Sequence, residues 1–181
     1  MTRFTSGLVL GLLAVTAAGC DDSGAGGTPT GAGGGAGGQT LNQKYGAAIP
    51  QVVDDAVAGV LADCEIAPYF AVVGQSGHVS VARLKSCLRL QFTALFGGPA
   101  TYPGTNDQGD TCADMTSIHA GLGIPASMFD KFVMDFGGVL AADGVAAADI
   151  ATIAAAVTGM KSQIVSASPA PMSACGGAAG Q

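Results

Sequence analysis

The sequence has few of the residues that mark several common functional classes. Lysine and arginine total only 7 against 13 aspartate and glutamate residues, which gives a net charge of −6 without a basic cluster. Because nucleic-acid-binding proteins present concentrated positive charge, this composition argues against a nucleic-acid partner. No C-x-x-C pair occurs, which argues against a zinc site. No nucleophile or acid–base pair is evident either, so protein-based catalysis is not indicated.

Long apolar runs are missing outside the first twenty residues. Residues 1–20 combine Arg3, an apolar run from Leu8 to Ala18, and the sequence TAAGC ending at Cys20. The run is too short for a stable membrane span and is typical of a signal peptide. The cysteine after small residues resembles a bacterial lipobox, which predicts lipidation of Cys20 and an exported protein anchored to a membrane, at the periplasm or cell surface. The alternative is an ordinary secretory signal with an incidental cysteine.

The rest of the chain divides by composition into a linker, one domain and a tail. Residues 21–40 are rich in glycine and predict a flexible linker. Residues 41–166 are long enough for one compact domain, and residues 167–181 form a tail of Pro, Gly and Ala. Four cysteines remain after Cys20, and in an oxidising compartment an even number predicts disulfides with three possible connectivities. These candidates are Cys64, Cys87, Cys112 and Cys175.

The domain predicts an all-α fold, because no segment alternates as a strand does. Four segments place apolar residues at helical spacing. Residues 97–113 carry turn residues throughout, and no internal repeat occurs. The stripes are Ile49, Val52, Val53, Ala56, Val57, Val60 and Leu61; Val81, Leu84, Leu88, Phe92 and Leu95; Phe129, Phe132, Val133, Phe136 and Leu140; and Ile150, Ile153, Val157, Met160 and Ile164.

Four stretches in this order resemble the truncated globins, most closely those of group I. They are AIPQVVDDAVAGVLADCEIAPYF, RLKSCLRLQFTALFGGPATYPG, MTSIHAGLGIPASMFDKFV and LAADGVAAADIATIAAAV, and the likeness covers about residues 41–165. The resemblance implies a two-on-two helical sandwich that encloses a b-type haem. The absence of C-x-x-C-H agrees with a haem that is not covalently attached.

By this resemblance His119 is the proximal ligand of the haem iron, and without it a partly buried structural histidine is the commoner interpretation. A neutral imidazole binds iron well, while its second nitrogen donates to a carbonyl that fixes the ring. Ala120, Gly121 and Gly123 would let the chain turn beneath the macrocycle. The resemblance also implies a haem-face contact for Phe70, propionate contacts for Tyr102 and Lys85, and an apolar pocket wall. The wall residues are Met115, Ile124, Phe129 and Phe132.

The distal side departs from the family. Group I members usually place a tyrosine, and often a glutamine, where this chain has Val57 and Leu88, and Leu84 occupies the position closest to the iron. These residues predict an apolar distal pocket, which favours CO and NO relative to oxygen. Cys87 or His78 would supply a sixth iron ligand, although a disulfide and a surface loop are the commoner fates of such residues. For the disulfides we favour the pairs Cys64–Cys87 and Cys112–Cys175.

Two functions follow as expectations. The first is an exported, membrane-tethered haem protein that binds a diatomic gas (O₂, NO or CO) or transfers electrons to a redox partner. Any enzymatic activity, such as NO dioxygenation, would belong to the haem. The second is a haem-free, globin-like lipoprotein that serves as an interaction or structural module. The missing distal polar residues favour this alternative, whereas the retained His119 opposes it.

Overall fold

The computed structural model describes residues 38–169 and Cys175, and within this part of the chain the fold is helical. The predicted signal peptide with Cys20, most of the predicted linker and most of the predicted tail lie outside the described residues. No helix in the described part is long and apolar enough to cross a membrane. The elements are α1 Leu41–Tyr45, α2 Ile49–Ala62, α3 Val81–Leu95, β1 Gly104–Thr105, β2 Thr111–Cys112, α4 Met115–His119, α5 Ala126–Ala142, α6 Ala147–Thr158 and α7 Lys161–Ile164, with 3₁₀ turns at Gly46–Ala48 and Ala67–Phe70.

Local sequence signals explain where the helices begin and end. Thr40 and Gln43 form a capping box at α1, and Ser80 accepts a hydrogen bond from the Arg83 amide at the start of α3. Pro50 occupies the first turn of α2, where its missing N–H has no consequence. Each of the three longest helices turns its apolar stripe inward, so periodicity predicted these elements well.

The core forms where α2 contacts α3 and α5, and where α5 contacts α6. A large cluster of buried residues lies along these contacts, including Val53, Phe96 and Ile153, which are at most 1% exposed. A second, smaller cluster joins α2 to the start of α5. The gap beside this second cluster is the cavity described below.

Two parts of the domain differ from the helical prediction. The fourth stripe is divided, because α6 ends at Thr158 and α7 starts at Lys161. Gly159, which has low helix propensity, caps α6. In the segment predicted as turns, β1 and β2 pair antiparallel, with Gly104 opposite Cys112. This pairing places Cys112 beside α3.

Both predicted disulfide pairs are wrong, although all four cysteines are bonded. Cys64 pairs with Cys175 and Cys87 pairs with Cys112. The reason lies in the β1–β2 segment, which folds back onto α3. Arg83 Nη2 donates to the Thr111 carbonyl at 3.0 Å, so Cys112 lies beside Cys87.

Removing each disulfide is expected to destabilise the protein by an amount that follows its loop length. The bridges span 111 and 25 residues of sequence separation. Restriction of the unfolded chain then gives about 4.8 kcal/mol for Cys64–Cys175 and about 3.5 kcal/mol for Cys87–Cys112. Urea unfolding of the C64S/C175S and C87S/C112S variants measures both values. Equal losses, or the reverse order, would contradict this expectation.

Candidate functional site

The candidate site is an apolar cavity between α3 on one side and α4 with the start of α5 on the other. It contains about 890 Å³ of space free of protein atoms, counting its open mouth. Only three of its lining residues carry polar side chains: Tyr69, Gln91 and His119. The apolar lining residues are Ala56, Val57, Val60, Ile66, Phe70, Leu84, Leu88, Phe92, Met115, Ile118, Ile124, Met128, Phe129, Phe132 and Ile164.

His119 reaches this cavity from the last position of α4. Asp114 is the N-cap of this helix, and its carboxylate accepts a hydrogen bond from the Ser117 amide at 3.0 Å. After His119, Gly121 and Gly123 have φ values of 79° and 67°. A Cβ at Gly121 would meet no atom within 4 Å. The left-handed backbone, rather than lack of space, therefore explains this glycine.

The protonation of the His119 ring follows from its contacts. Nδ1 lies 2.8 Å from the Met115 carbonyl oxygen, and since a carbonyl only accepts, Nδ1 carries the proton. Burial lowers the pKa of His119 below its usual value of 6.5, and the hydrogen bond to Met115 opposes part of this effect. The ring is therefore neutral at pH 7. Its Nε2 keeps a free lone pair and has no hydrogen-bond partner among the described residues.

A ring in this state is prepared to bind a metal ion through Nε2. Proteins commonly fix a metal-binding histidine in this way, by a hydrogen bond from its other nitrogen to a backbone carbonyl. Within residues 38–169 and Cys175, no group of three or more His, Cys, Asp or Glu side chains is arranged to hold a metal ion. Of the described residues that line the cavity, His119 is the one that belongs to these four residue types.

The structure brings most of the sequence-predicted site residues together. Cofactor contact by each of them stays a prediction, but they all line the same cavity. They are Val57, Phe70, Leu84, Leu88, Met115, His119, Ile124, Phe129 and Phe132. They come from four α-helices, one 3₁₀ turn and the loop before α5, which explains why no single motif contains them.

Lys85 and Tyr102 do not line the cavity. The Lys85 ammonium lies 3.1 Å from Asp54 Oδ1, and the Tyr102 hydroxyl donates to the Ala113 carbonyl at 2.7 Å. Burial, followed by the charge of Asp114, raises the pKa of Tyr102. Both side chains already have protein partners, and their predicted contacts with propionates stay predictions.

The two candidates for a sixth iron ligand are placed differently. Because Cys87 is bonded to Cys112, it has no free thiolate for iron, and its fate is the disulfide that was the commoner expectation for it. His78 is exposed, and its amide donates to the Gln75 carbonyl in the turn before α3. It does not line the cavity.

Sequence reasoning missed Tyr69 and Gln91. Gln91 follows Leu84 by seven residues and Leu88 by three, so helical spacing places it on the same face, and it is 5% exposed. Its Nε2 donates to the Met115 sulfur at 3.1 Å, and a second contact to the Met160 sulfur measures 3.5 Å. Tyr69 directly precedes the predicted Phe70 in the Ala67–Phe70 turn. The cavity is therefore mainly, but not wholly, apolar.

Solved structures similar to this chain include a truncated haemoglobin and the protein THB1. A truncated haemoglobin from Tetrahymena pyriformis, in its Fe(III) form, is 23% identical with a TM-score of 0.58, over 70% of this chain and 98% of the other. The protein THB1 from Chlamydomonas reinhardtii is 25% identical with a TM-score of 0.54, over 70% of this chain and 97% of the other. No protein-family model matches the chain, and neither does any curated protein.

Proposed function

We propose that this chain, which has the truncated-globin fold, is a haem-binding globin with His119 as the ligand of the iron. The observation that supports this most strongly is the state of His119. Its Nδ1 donates its proton to the Met115 carbonyl at 2.8 Å, and its Nε2 has no hydrogen-bond partner among the described residues of the mainly apolar cavity. A neutral imidazole fixed in this way is a suitable axial ligand.

The residues around the cavity fit the remainder of a haem group. A macrocycle buries a large apolar surface, and the aromatic and aliphatic side chains of Phe70, Ile124, Phe129 and Phe132 would cover it. The four cysteines of the described domain are bonded in pairs. None of them is then free to form a thioether to the cofactor, which supports a non-covalent, b-type haem.

The bound haem would supply reversible binding of a diatomic gas and one-electron redox chemistry. The side chains opposite His119 would set the choice of gas. Val57, Leu84 and Leu88 offer no hydrogen-bond donor, and the Gln91 amide already points its N–H groups to two methionine sulfurs. A donor contributes about 1–3 kcal/mol to a polar bound ligand. The absence of a donor at these three α2 and α3 positions favours CO and NO over oxygen, and gas binding or electron transfer over oxygen-dependent turnover.

Haem titration of the mature chain with both disulfides intact tests this function. Addition of haem is expected to give a Soret band that saturates at one haem per chain. The reduced form should then shift its spectrum on exposure to CO. If the folded chain gives no Soret band, the haem proposal fails, and a haem-free interaction module becomes the better interpretation.

We further propose that the protein is exported and held at a membrane by lipid attached to Cys20. The support comes from the sequence alone: the apolar run, the TAAGC stretch and the glycine-rich residues that follow. The tether would keep the haem domain at the membrane surface, where it would meet gases entering the cell or a membrane-bound redox partner.

Replacing Cys20 with serine is expected to abolish incorporation of a labelled fatty acid and to move the protein from the membrane fraction to the soluble fraction. The matched control is Ala17→Leu, which brings the lipobox closer to its usual pattern and should keep the label. Equal labelling of the Cys20→Ser variant and the unchanged chain would contradict lipidation at this residue.

A further inference from the structure

The two walls of the cavity belong to different elements. α3 contributes Leu84 and Leu88, and α4 contributes Met115 and His119. α4 has only five residues, too few for a stable helix without tertiary support. Its main packing partner is α7 rather than α3. The position of His119 relative to the opposite wall therefore depends on what joins α4 to α3.

The strongest link between these walls is the disulfide between Cys87 and Cys112. Cys87 lies on α3 directly before Leu88, and Cys112 lies two residues before Asp114, the cap of α4. Their Cα atoms are 5.6 Å apart. Cys112 is 2% exposed. The bridge thus fixes the start of α4 against the middle of the opposite wall.

Other contacts between α3 and the segment that leads to α4 are not covalent. Arg83 Nη2 donates to the Thr111 carbonyl at 3.0 Å, and because this bond is exposed, water competes with it. Ser86 Oγ donates to the Asp107 carboxylate, which lies five residues before Cys112. The bond from Gln91 Nε2 to Met115 Sδ at 3.1 Å is buried but has a thioether as its acceptor, which is weak. None of these contacts replaces a covalent bond next to the cap of α4.

We propose that the Cys87–Cys112 disulfide is a positioning bridge, which holds His119 opposite Leu84 and Leu88 and thereby slows the loss of haem. This inference rests on the proposed haem site. The bridge does not touch the cofactor and acts through the placement of α4. The second disulfide, Cys64–Cys175, provides the comparison within the same chain, because neither of its cysteines lies on α3, α4 or the segment between them.

The two bridges are expected to rank in opposite order for the unfolding stability of the haem-free chain and for haem retention. Loop length makes Cys64–Cys175 the more important bridge for the stability of the haem-free chain. Placement of α4 makes Cys87–Cys112 the more important bridge for haem retention. If both bridges acted only through overall stability, the variant with the lower unfolding stability would also lose haem faster. The opposite order in the two measurements therefore identifies a positioning role for Cys87–Cys112.

The experiment compares the full-length C87S/C112S and C64S/C175S variants with the unchanged chain. Each protein is loaded with haem, and the rate of haem dissociation is measured from the transfer of haem to excess apomyoglobin. We expect dissociation to accelerate by about tenfold or more in C87S/C112S, as for the loss of a group that orients a metal ligand, and to stay unchanged in C64S/C175S. Resonance Raman spectra should show a broadened iron–histidine band only in C87S/C112S.

A measurement without haem separates this inference from the proposed function. Amide hydrogen exchange of the haem-free variants should be faster at Ile118, His119 and Ala120 in C87S/C112S than in C64S/C175S. If the unchanged chain binds no haem, the proposed function fails, and exchange at these amides still decides whether the bridge positions α4. Equal exchange there, or haem loss that follows unfolding stability, would overturn the positioning role.

A second route applies if C87S/C112S does not fold. The haem-loaded C64S/C175S variant is treated with a water-soluble phosphine. The phosphine takes an oxygen atom from water and becomes a phosphine oxide, and Cys87 and Cys112 each become a thiol. Haem loss that accelerates as the two thiols appear supports the bridge, whereas an unchanged rate with both thiols present overturns it.

Discussion

Replacement of His119 with alanine is expected to lower the affinity of the chain for haem by more than about 100-fold. Loss of an outer group that only orients a metal ligand already costs about 10- to 100-fold, and this substitution removes the ligand itself. No other histidine lines the cavity in the described part of the chain, and its cysteines are bonded in pairs. No second histidine and no free thiolate is therefore left among the described lining residues to replace His119 at the iron.

The matched control is His78→Ala, the same substitution at the other histidine. His78 is exposed in the turn before α3 and does not line the cavity, so its affinity for haem should equal that of the unchanged chain. His119→Gly with added imidazole gives a further check, because free imidazole should restore part of the Soret band. Similar haem affinity in the His119→Ala and His78→Ala variants would contradict the assignment.

Introduction of a hydrogen-bond donor opposite His119 is expected to raise oxygen affinity by about 5- to 100-fold, in keeping with 1–3 kcal/mol for a hydrogen bond. Leu88→Gln changes the shape of the side chain little and adds an amide on the α3 wall. CO affinity should change much less, because bound CO has less charge to stabilise. Oxygen and CO dissociation rates, measured on the haem-loaded variant, give the ratio.

Leu61→Gln provides the control for this gain. Leu61 lies on α2 and is 41% exposed, so the same chemical change is made outside the cavity. Its oxygen and CO rates should match those of the unchanged chain. If Leu88→Gln leaves oxygen affinity unchanged, then α3 does not face the bound gas, and the proposed explanation of gas preference is wrong.

Helical periodicity in the sequence correctly predicted the long helices of the fold. The stripes from Ile49 and from Val81 coincide with α2 Ile49–Ala62 and α3 Val81–Leu95, because burial of one apolar face dominates the stability of such helices. The resemblance to truncated globins rested on the order of short motifs. It is confirmed for the fold by the similar structures.

The incorrect or missing predictions concern features that depend on tertiary contacts. Cys112 joins Cys87 because β1 and β2 fold the segment back onto α3. Strands of two residues are too short to give a periodic sequence pattern, so this fold could not be predicted. Gln91 escaped notice for another reason: its position on the apolar face of α3 was readable, but its polar character removed it from the stripe. Its exposure of only 5% and its contact with Met115 required the structure.

For His119 as well, the sequence predicted the position of the residue but not its protonation state. Its place at the end of a Met-x-x-x-His segment was evident from the sequence, and the resemblance supplied its role. The location of its proton was not evident, because that depends on the 2.8 Å contact with the Met115 carbonyl and on burial. The hydrogen bond places the proton on Nδ1, and burial keeps the ring neutral. Together they leave the Nε2 lone pair free to bind iron.

Resonance Raman spectroscopy of the reduced, haem-loaded chain tests the central assignment most directly. Protein labelled with ¹⁵N-histidine should show an iron–histidine stretching band at lower frequency than unlabelled protein, and the band should persist in His78→Ala and vanish in His119→Ala. A band that survives in His119→Ala, or a haem spectrum without any histidine-sensitive band, would contradict the assignment of His119 as the iron ligand.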